Sequence, residues 1–248
     1  MSTSLDLNAD LGEGIGDDAA MLDIVSSASI ACGGHAGDEA SMRAALRAAK
    51  ARGVVVGAHP SFPDRANFGR TRMLLAPEEL DAAVRAQVRM LVELGEEEHW
   101  PVRYVKLHGA LANMAAEEPA IAAVCFAAVE GLVRDMAILA IDNSAQSDVA
   151  RALGFRVVLE AYADRAYQPN GLLVPRQMPG SVLADKRAIA GRAVRLAQKG
   201  EIEAVDGGII ATQARSLCIH GDTPDAVAIA KAVKASLFLA GVEIRPAL

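Results

Sequence analysis

Short apolar runs alternate with longer amphipathic stretches along the whole chain. The runs are Ser4–Leu7, Ser29–Cys32, Val54–Ala58, Arg103–Leu107, Ala137–Ile141, Arg156–Leu159 and Ser216–Ile219. Each has the length and flanks of a buried strand. The stretches between them read as helices with clear stops. Asp38–Arg52 is followed by Gly53, Pro77–Leu94 by Gly95, Ala145–Leu153 by Gly154 and Asp185–Lys199 by Gly200. A glycine there takes the left-handed conformation that ends a helix without a Cβ penalty. The last helix is expected to begin with Thr223 as N-cap and Pro224 in the first turn, next to Asp225.

Seven strands and about seven helices give roughly 35 residues per unit, the size of a parallel βα repeat. No linker or composition shift divides the 248 residues, so one domain over 1–248 is expected. A closed barrel and an open doubly wound sheet both fit this rhythm. Polar residues decide for the barrel, because nearly every strand delivers them, whereas an open sheet gathers them at one switch point.

In the first strand Asp6, Asn8 and Asp10 share one face and Leu5, Leu7 and Ala9 the other. A parallel strand is buried on both sides, so the polar face must point into the barrel, unless the strand is an exposed edge. In the fourth, Tyr104, Lys106 and His108 share a face. A lysine there is costly unless it is paired or functional. The residues at or after the strand ends are Asp10, His35, His59, His108, Asp142, Glu160 and His220. Four of the five histidines lie among them, and the fifth, His99, reads as an exposed connection. One such histidine would more often be structural. Four on the face where barrel enzymes build their sites point to chemistry.

Two long loops on that face carry charge. One holds Asp64, Arg65, Arg70 and Arg72, the other Asp164, Arg165 and Arg176. Each arginine alone could be a solvated surface group. Together they suit a substrate carboxylate or phosphate. The turn Gly12-Glu13-Gly14-Ile-Gly16 could offer amides to an anion, but Glu13, Asp17 and Asp18 would repel phosphate. No Walker pattern, nucleophile elbow, H-E-x-x-H or C-x-x-C is found. Asp10, His35 and His59 could hold a zinc-like ion, or form a metal-free network.

Composition narrows the classes further. Hydrophobic residues are 52% and charged residues 23%, which excludes a disordered chain. The net charge of −6 and 4% aromatics argue against nucleic acid. Three scattered cysteines and no secretory pattern near Met1 lead to the expectation of a cytoplasmic protein.

These residues resemble the LamB/YcsF family. The resemblance rests on Asp6-Leu-Asn-Ala-Asp10-Leu-Gly-Glu13-Gly, Ile30-Ala-Cys-Gly-Gly-His35-Ala-Gly-Asp38, Gly57-Ala-His59-Pro-Ser-Phe-Pro-Asp64 and Phe68-Gly-Arg70. It continues through Val105-Lys106-Leu-His108-Gly-Ala-Leu, Ala163-Asp164-Arg165-Ala-Tyr167, Leu173-Val-Pro-Arg176 and Cys218-Ile-His220-Gly-Asp222-Thr-Pro. Gly34 and Leu107 depart from it, standing where the family pattern has Phe and often Pro. The resemblance implies an irregular seven-stranded (β/α) TIM-like barrel of the glycoside hydrolase/deacetylase type. It further implies ATP-dependent opening of 5-oxo-L-proline to L-glutamate, within a 5-oxoprolinase that has partner subunits B and C. ATP could then bind on the partners.

On that basis Asp10, His35, His59, Lys106 and His108 are expected to be catalytic. Asp10 or His59 would be the base, and Lys106 and His108 would stabilise the oxyanion. Glu13, Asp64, Arg65, Arg70, Asp142, Glu160, Asp164, Arg165, Arg176 and His220 are expected around the substrate. The competing readings are a stand-alone metal-dependent deacetylase or amidohydrolase, and a non-catalytic subunit that captures a small ligand.

Overall fold

The computed structural model describes residues 3–248. The elements run β1 (Thr3–Leu11), α1 (Asp18–Leu22), β2 (Ser27–Ala31), α2 (Glu39–Arg52), β3 (Val55–His59), α3 (Pro77–Glu97), β4 (Val102–Val105), α4 (Gly109–Glu117) and α5 (Pro119–Val129). They continue with β5 (Ala137–Ile141), α6 (Ala145–Ala152), β6 (Arg156–Tyr162), α7 (Lys186–Lys199), β7 (Glu201–Glu203), β8 (Ile209–Ala211), β9 (Ser216–His220), α8 (Ala226–Leu239) and β10 (Val242–Ile244).

Strands β1 to β6 pair in chain order, β6 pairs with β9, and β9 returns to β1, all parallel. The result is a closed seven-stranded barrel, as the polar residues delivered by nearly every strand had indicated. All seven apolar runs lie in its wall. Strand β10 adds outside it against Thr3–Leu5. The antiparallel β7–β8 hairpin stands apart from the barrel. Neither was evident in the sequence, because three-residue strands carry almost no periodic signal.

Local chemistry explains the helices. Asp38 accepts from the Ser41 amide and Ser41 Oγ accepts from the Asp38 amide, a reciprocal cap at the start of α2. Met42, Ala45, Leu46 and Ala49 form its buried stripe, and Gly53 ends it at φ 68°. Two expected boundaries are corrected. α3 runs past Gly95 to Glu97, because Gly95 is needed for close approach: a Cβ there would lie 2.8 Å from the Trp100 carbonyl oxygen. α8 starts at Ala226, after Asp225 in the left-handed region. The Thr223 hydroxyl is drawn to Asp164 and caps nothing.

The barrel interior is polar, with β1 carrying an unbroken file of polar side chains met by groups from other strands. At its base the carboxylate of Asp6 accepts from the hydroxyls of Ser26, Ser27 and Ser216. Burial nevertheless pushes this carboxyl above its usual range. The Tyr104 ring lies over Gly57 of the adjoining strand, where any Cβ would collide with the ring. Pro246, Ala247 and Leu248 line the cavity beneath it. The outward faces of the strands carry Leu5, Leu7 and Ala9, packed with the helices in the main core. Among the described residues no single helix is long and apolar enough to cross a membrane.

Candidate active site

Above Asp6 the interior face of β1 presents Asn8 and then Asp10. Asn8 Nδ2 donates to Glu160 Oε1 at 2.9 Å and to Ser216 Oγ at 2.7 Å. Lys106, just past β4, reaches this layer from the opposite wall. Its Nζ lies 2.8 Å from Asp10 Oδ1, 3.0 Å from Glu160 Oε1, 3.3 Å from Asn8 Oδ1 and 3.1 Å from Cys218 Sγ. The lysine is 2% exposed, so water cannot substitute for these partners. Burial would lower its pKa, but Asp10, Cys218 and Glu160 outweigh that and hold it well above the ordinary value. Burial would likewise raise Asp10, but His59 and Lys106 hold it well below the usual carboxylate range. At pH 7 the pair is ionic.

The second layer is histidine. His59 ends β3, and its Nδ1 donates to the Lys106 carbonyl oxygen at 2.8 Å. Its Nε2 lies 3.4 Å from Asp10 Oδ2 and 2.9 Å from His108 Nδ1. His108 precedes α4 and donates from Nε2 to the Phe68 carbonyl oxygen at 3.0 Å. His35, after β2, stacks on His108 with ring centroids 3.6 Å apart and faces Glu13 Oε1 at 3.0 Å. Gly69 lets the loop backbone pass close to these rings, since a Cβ there would meet His35 Cβ at 2.9 Å and His108 Cδ2 at 3.1 Å. Burial, then the neighbouring His59, pushes His35 down to about 3 and His108 well below the usual imidazole range. Burial and the charge of Asp10 push Glu13 well above the carboxylate range.

Over these groups opens a cavity of about 390 Å³, lined by Asp10, His59, Lys106, His108, Tyr162 and His220, with Arg70, Arg165 and Arg176 around it. Arg70 and Arg176 both donate to Asp222 Oδ2, Arg176 at 2.9 Å. Asp222 therefore joins three mouth loops, those after β3, β6 and β9. Burial would raise its carboxyl, but the two guanidiniums keep it below the usual range. His220 Nδ1 pairs with Asp164 Oδ1 at 2.9 Å, and its ring stacks on Tyr162.

The structure thus brings Asp10, Glu13, His35, His59, Lys106, His108, Glu160 and His220 into one constellation, with Arg70 and Arg176 at its mouth. Other expected residues are engaged elsewhere. Arg65 donates to the Gly33 and Gly37 carbonyls, and Asp64 caps the short turn Arg65–Asn67. Asp142 accepts from Thr212 Oγ1 and the Gln213 amide, outside the cavity lining. Arg165 is spent on the Ser181 and Val174 carbonyls although it borders the cavity. Asp164 sits behind His220. Asn8, Tyr162, Cys218 and Asp222 belong to the site as well. Asn8 was signalled by its place between Asp6 and Asp10, whereas nothing in local sequence marks Asp222 as an arginine partner.

Among the described residues, two groups of side chains could hold a metal ion. Glu13, His35, His59 and His108 offer donor atoms within 4.8 Å of one another, and so do Asp10, Cys218 and His220.

Fold and site define a (β/α)-barrel protein with a buried acid–base cluster at the C-terminal ends of its strands. The chain belongs to the LamB/YcsF family, whose model matches residues 5–248. It is 44% identical over 248 residues to the A subunit of a 5-oxoprolinase from Pseudomonas syringae pv. tomato, covering 98% of this chain and 97% of that one. The crystal structure of the lactam utilization protein from Thermus thermophilus is 42% identical, with a TM-score of 0.91, over 98% of this chain and 99% of that one. A T48 deacetylase shares the fold alone, with 12% identity, a TM-score of 0.52 and coverage of 98% and 87%.

Proposed function

We propose that this chain is the A component of a cytoplasmic, ATP-hydrolysing 5-oxoprolinase, which opens 5-oxo-L-proline to L-glutamate together with subunits B and C. One observation carries the reading: the Lys106–Asp10–His59 cluster lies at the floor of a cavity at whose rim Arg70 and Arg176 converge on a single carboxylate. A small cyclic amide bearing one carboxylate has the matching two ends. The names of the full-length relatives point the same way.

Hydrolysis requires water to add to the ring carbonyl carbon, the C–N bond to break and the nitrogen to gain a proton. An unstrained lactam resists this. Transfer of the terminal phosphoryl group of ATP to its oxygen, with release of ADP, supplies the drive. The acyl phosphate left after C–N cleavage is hydrolysed by a second water to glutamate and phosphate. Lys106 stabilises the negative charge carried by the ring carbonyl oxygen and its phosphoryl group, because its ammonium is fixed at the cavity floor by Asp10 and Glu160. Asp10, held ionised beside His59, takes the proton from the attacking water. Arg70 and Arg176 bind the substrate carboxylate bidentately and set the ring above the cluster. Glu160 and Asn8 fix Lys106, and His220 closes one wall. The glycine-rich turn after β1 is ringed by carboxylates, so ATP phosphates belong on the partner side.

The test is reconstitution. The chain is mixed with candidate B and C subunits, ATP and 5-oxoproline, and glutamate is measured while each component is omitted in turn. Glutamate formed only in the complete mixture supports the reading. The donor cluster also fits a stand-alone amidohydrolase, and product formed by the chain alone without ATP would select that instead.

A further inference from the structure

Two histidine nitrogens, His59 Nε2 and His108 Nδ1, face each other in the site. A backbone carbonyl can only accept, so the 2.8 Å contact to the Lys106 oxygen makes His59 Nδ1 the protonated nitrogen. The 3.0 Å contact to the Phe68 oxygen does the same for His108 Nε2. The remaining nitrogens, His59 Nε2 and His108 Nδ1, then both present lone pairs, and they are 2.9 Å apart. Two lone pairs at that distance repel unless a cation sits with them.

The surroundings say which cation. Glu13 Oε1 is 3.6 Å from His108 Nδ1, and the described ion pairs of Glu13 involve only histidines, with no lysine or arginine. Glu13 is therefore a largely buried carboxylate without a fixed positive partner. His35 lies close enough to join these donors, but its ring is parallel to and stacked on His108, so their in-plane lone pairs run side by side rather than to one point. It serves instead as donor to Glu13 Oε1 at 3.0 Å, the arrangement that orients a metal-bound carboxylate. Asp10 Oδ2, 3.4 Å from His59 Nε2, borders the open side.

We propose that Glu13, His59 and His108 hold one divalent transition-metal ion, zinc or a close congener, with an open position facing Asp10. Two imidazoles and one carboxylate with a free position is a donor set of catalytic zinc sites. When bound, the ion would acidify a water within reach of Asp10. Metal binding can be read without substrate, ATP or partners, so this proposal and the 5-oxoprolinase reading fail independently.

The experiment strips the purified full chain with a chelator, then titrates it with Zn(II), and with Co(II) as a spectroscopic probe. About one ion per chain is expected, with visible d–d bands of a low-coordinate site for cobalt. Glu13→Gln and the double variant His59→Gln/His108→Gln should each bind Zn(II) at least about a hundredfold more weakly, and His35→Asn about ten- to a hundredfold more weakly. Circular dichroism checks that each variant is folded. If a variant is unfolded, the Co(II) spectrum of wild type must still show nitrogen and oxygen ligation without a thiolate band. Failure of folded wild type to bind Zn(II) would overturn the proposal and leave a proton shared by the two histidines. So would binding that survives in the folded double variant, or that is lost on Cys218→Ser.

Discussion

Lys106 Nζ meets Asp10 Oδ1 at 2.8 Å across the barrel, from two strands that share no hydrogen bonds in its wall. The contact ties opposite walls together and at the same time fixes the charged floor of the cavity. Lys106→Met keeps most of the volume but removes the fixed cation from two buried carboxylates, leaving Asp10 with His59 and Glu160 with the Asn8 amide. Turnover in the reconstituted system is expected to fall at least about a hundredfold. Stability should fall by about 3–5 kcal/mol, the cost of breaking a buried pair by removing one partner. Glutamate assays and denaturant unfolding of the same variant measure both, and unchanged values for either would refute the corresponding role.

In the proposed function Arg176 and Arg70 hold the other end of the substrate. Arg176→Met is expected to raise KM for 5-oxoproline about tenfold or more while kcat changes less, because a binding contact remote from the reacting carbon is lost. Steady-state kinetics with saturating ATP would show it. A loss confined to kcat would move Arg176 out of the carboxylate-binding role.

The Asp222 bridge predicts a pH signature. The arginines hold the folded-state carboxyl below its unfolded value. The bridge therefore contributes fully above the unfolded carboxylate pKa of about 4, and its contribution is lost as pH falls through the lower folded value. Asp222→Asn should thus be less stable than wild type at pH 7 and converge on it in strong acid. Paired denaturation curves over that range test this, and a gap that widens on acidification would contradict it.

Gly34 is confined by its neighbours. A Cβ there would collide with Gln87 Oε1 and lie 2.5 Å from Ser61 Oγ. Gln87 is itself engaged, accepting from the Ser61 amide at 3.0 Å and donating to the Ser61 carbonyl at 2.8 Å. Gly34→Ala should cost about 1–3 kcal/mol, as an overpacked site does. In the double variant Gly34→Ala/Gln87→Ala the penalty should be less than the sum of the two single changes. Strict additivity in the double-mutant cycle would remove the steric explanation.

The barrel and the centre of its site were legible because both follow from backbone periodicity. Asp6, Asn8 and Asp10 had to share a face, and a barrel offers a parallel strand that is not an exposed edge an interior that accepts them. The four histidines and Lys106 were legible because strand ends in such a barrel converge. Arg65 and Arg70 could not be separated in this way: both are loop arginines, yet one is spent on backbone carbonyls and the other reaches the mouth. Asp222 was illegible for the same reason, since its partners lie 152 and 46 residues away. Asp142 looked like its neighbours at the strand ends, but a hydroxyl and an amide from the segment before β9 claim its carboxylate.

The polar file of Asp6, Asn8 and Asp10 has a consequence for engineering. Barrels of this kind ordinarily fill their bore with branched aliphatic side chains, which stabilise it. Selection of variants for heat resistance alone would reward such replacements at these positions and, on the proposed function, strip Lys106 of its Asp10 partner while improving the protein by every thermal measure. Any campaign to harden this scaffold must therefore screen for turnover from its first round.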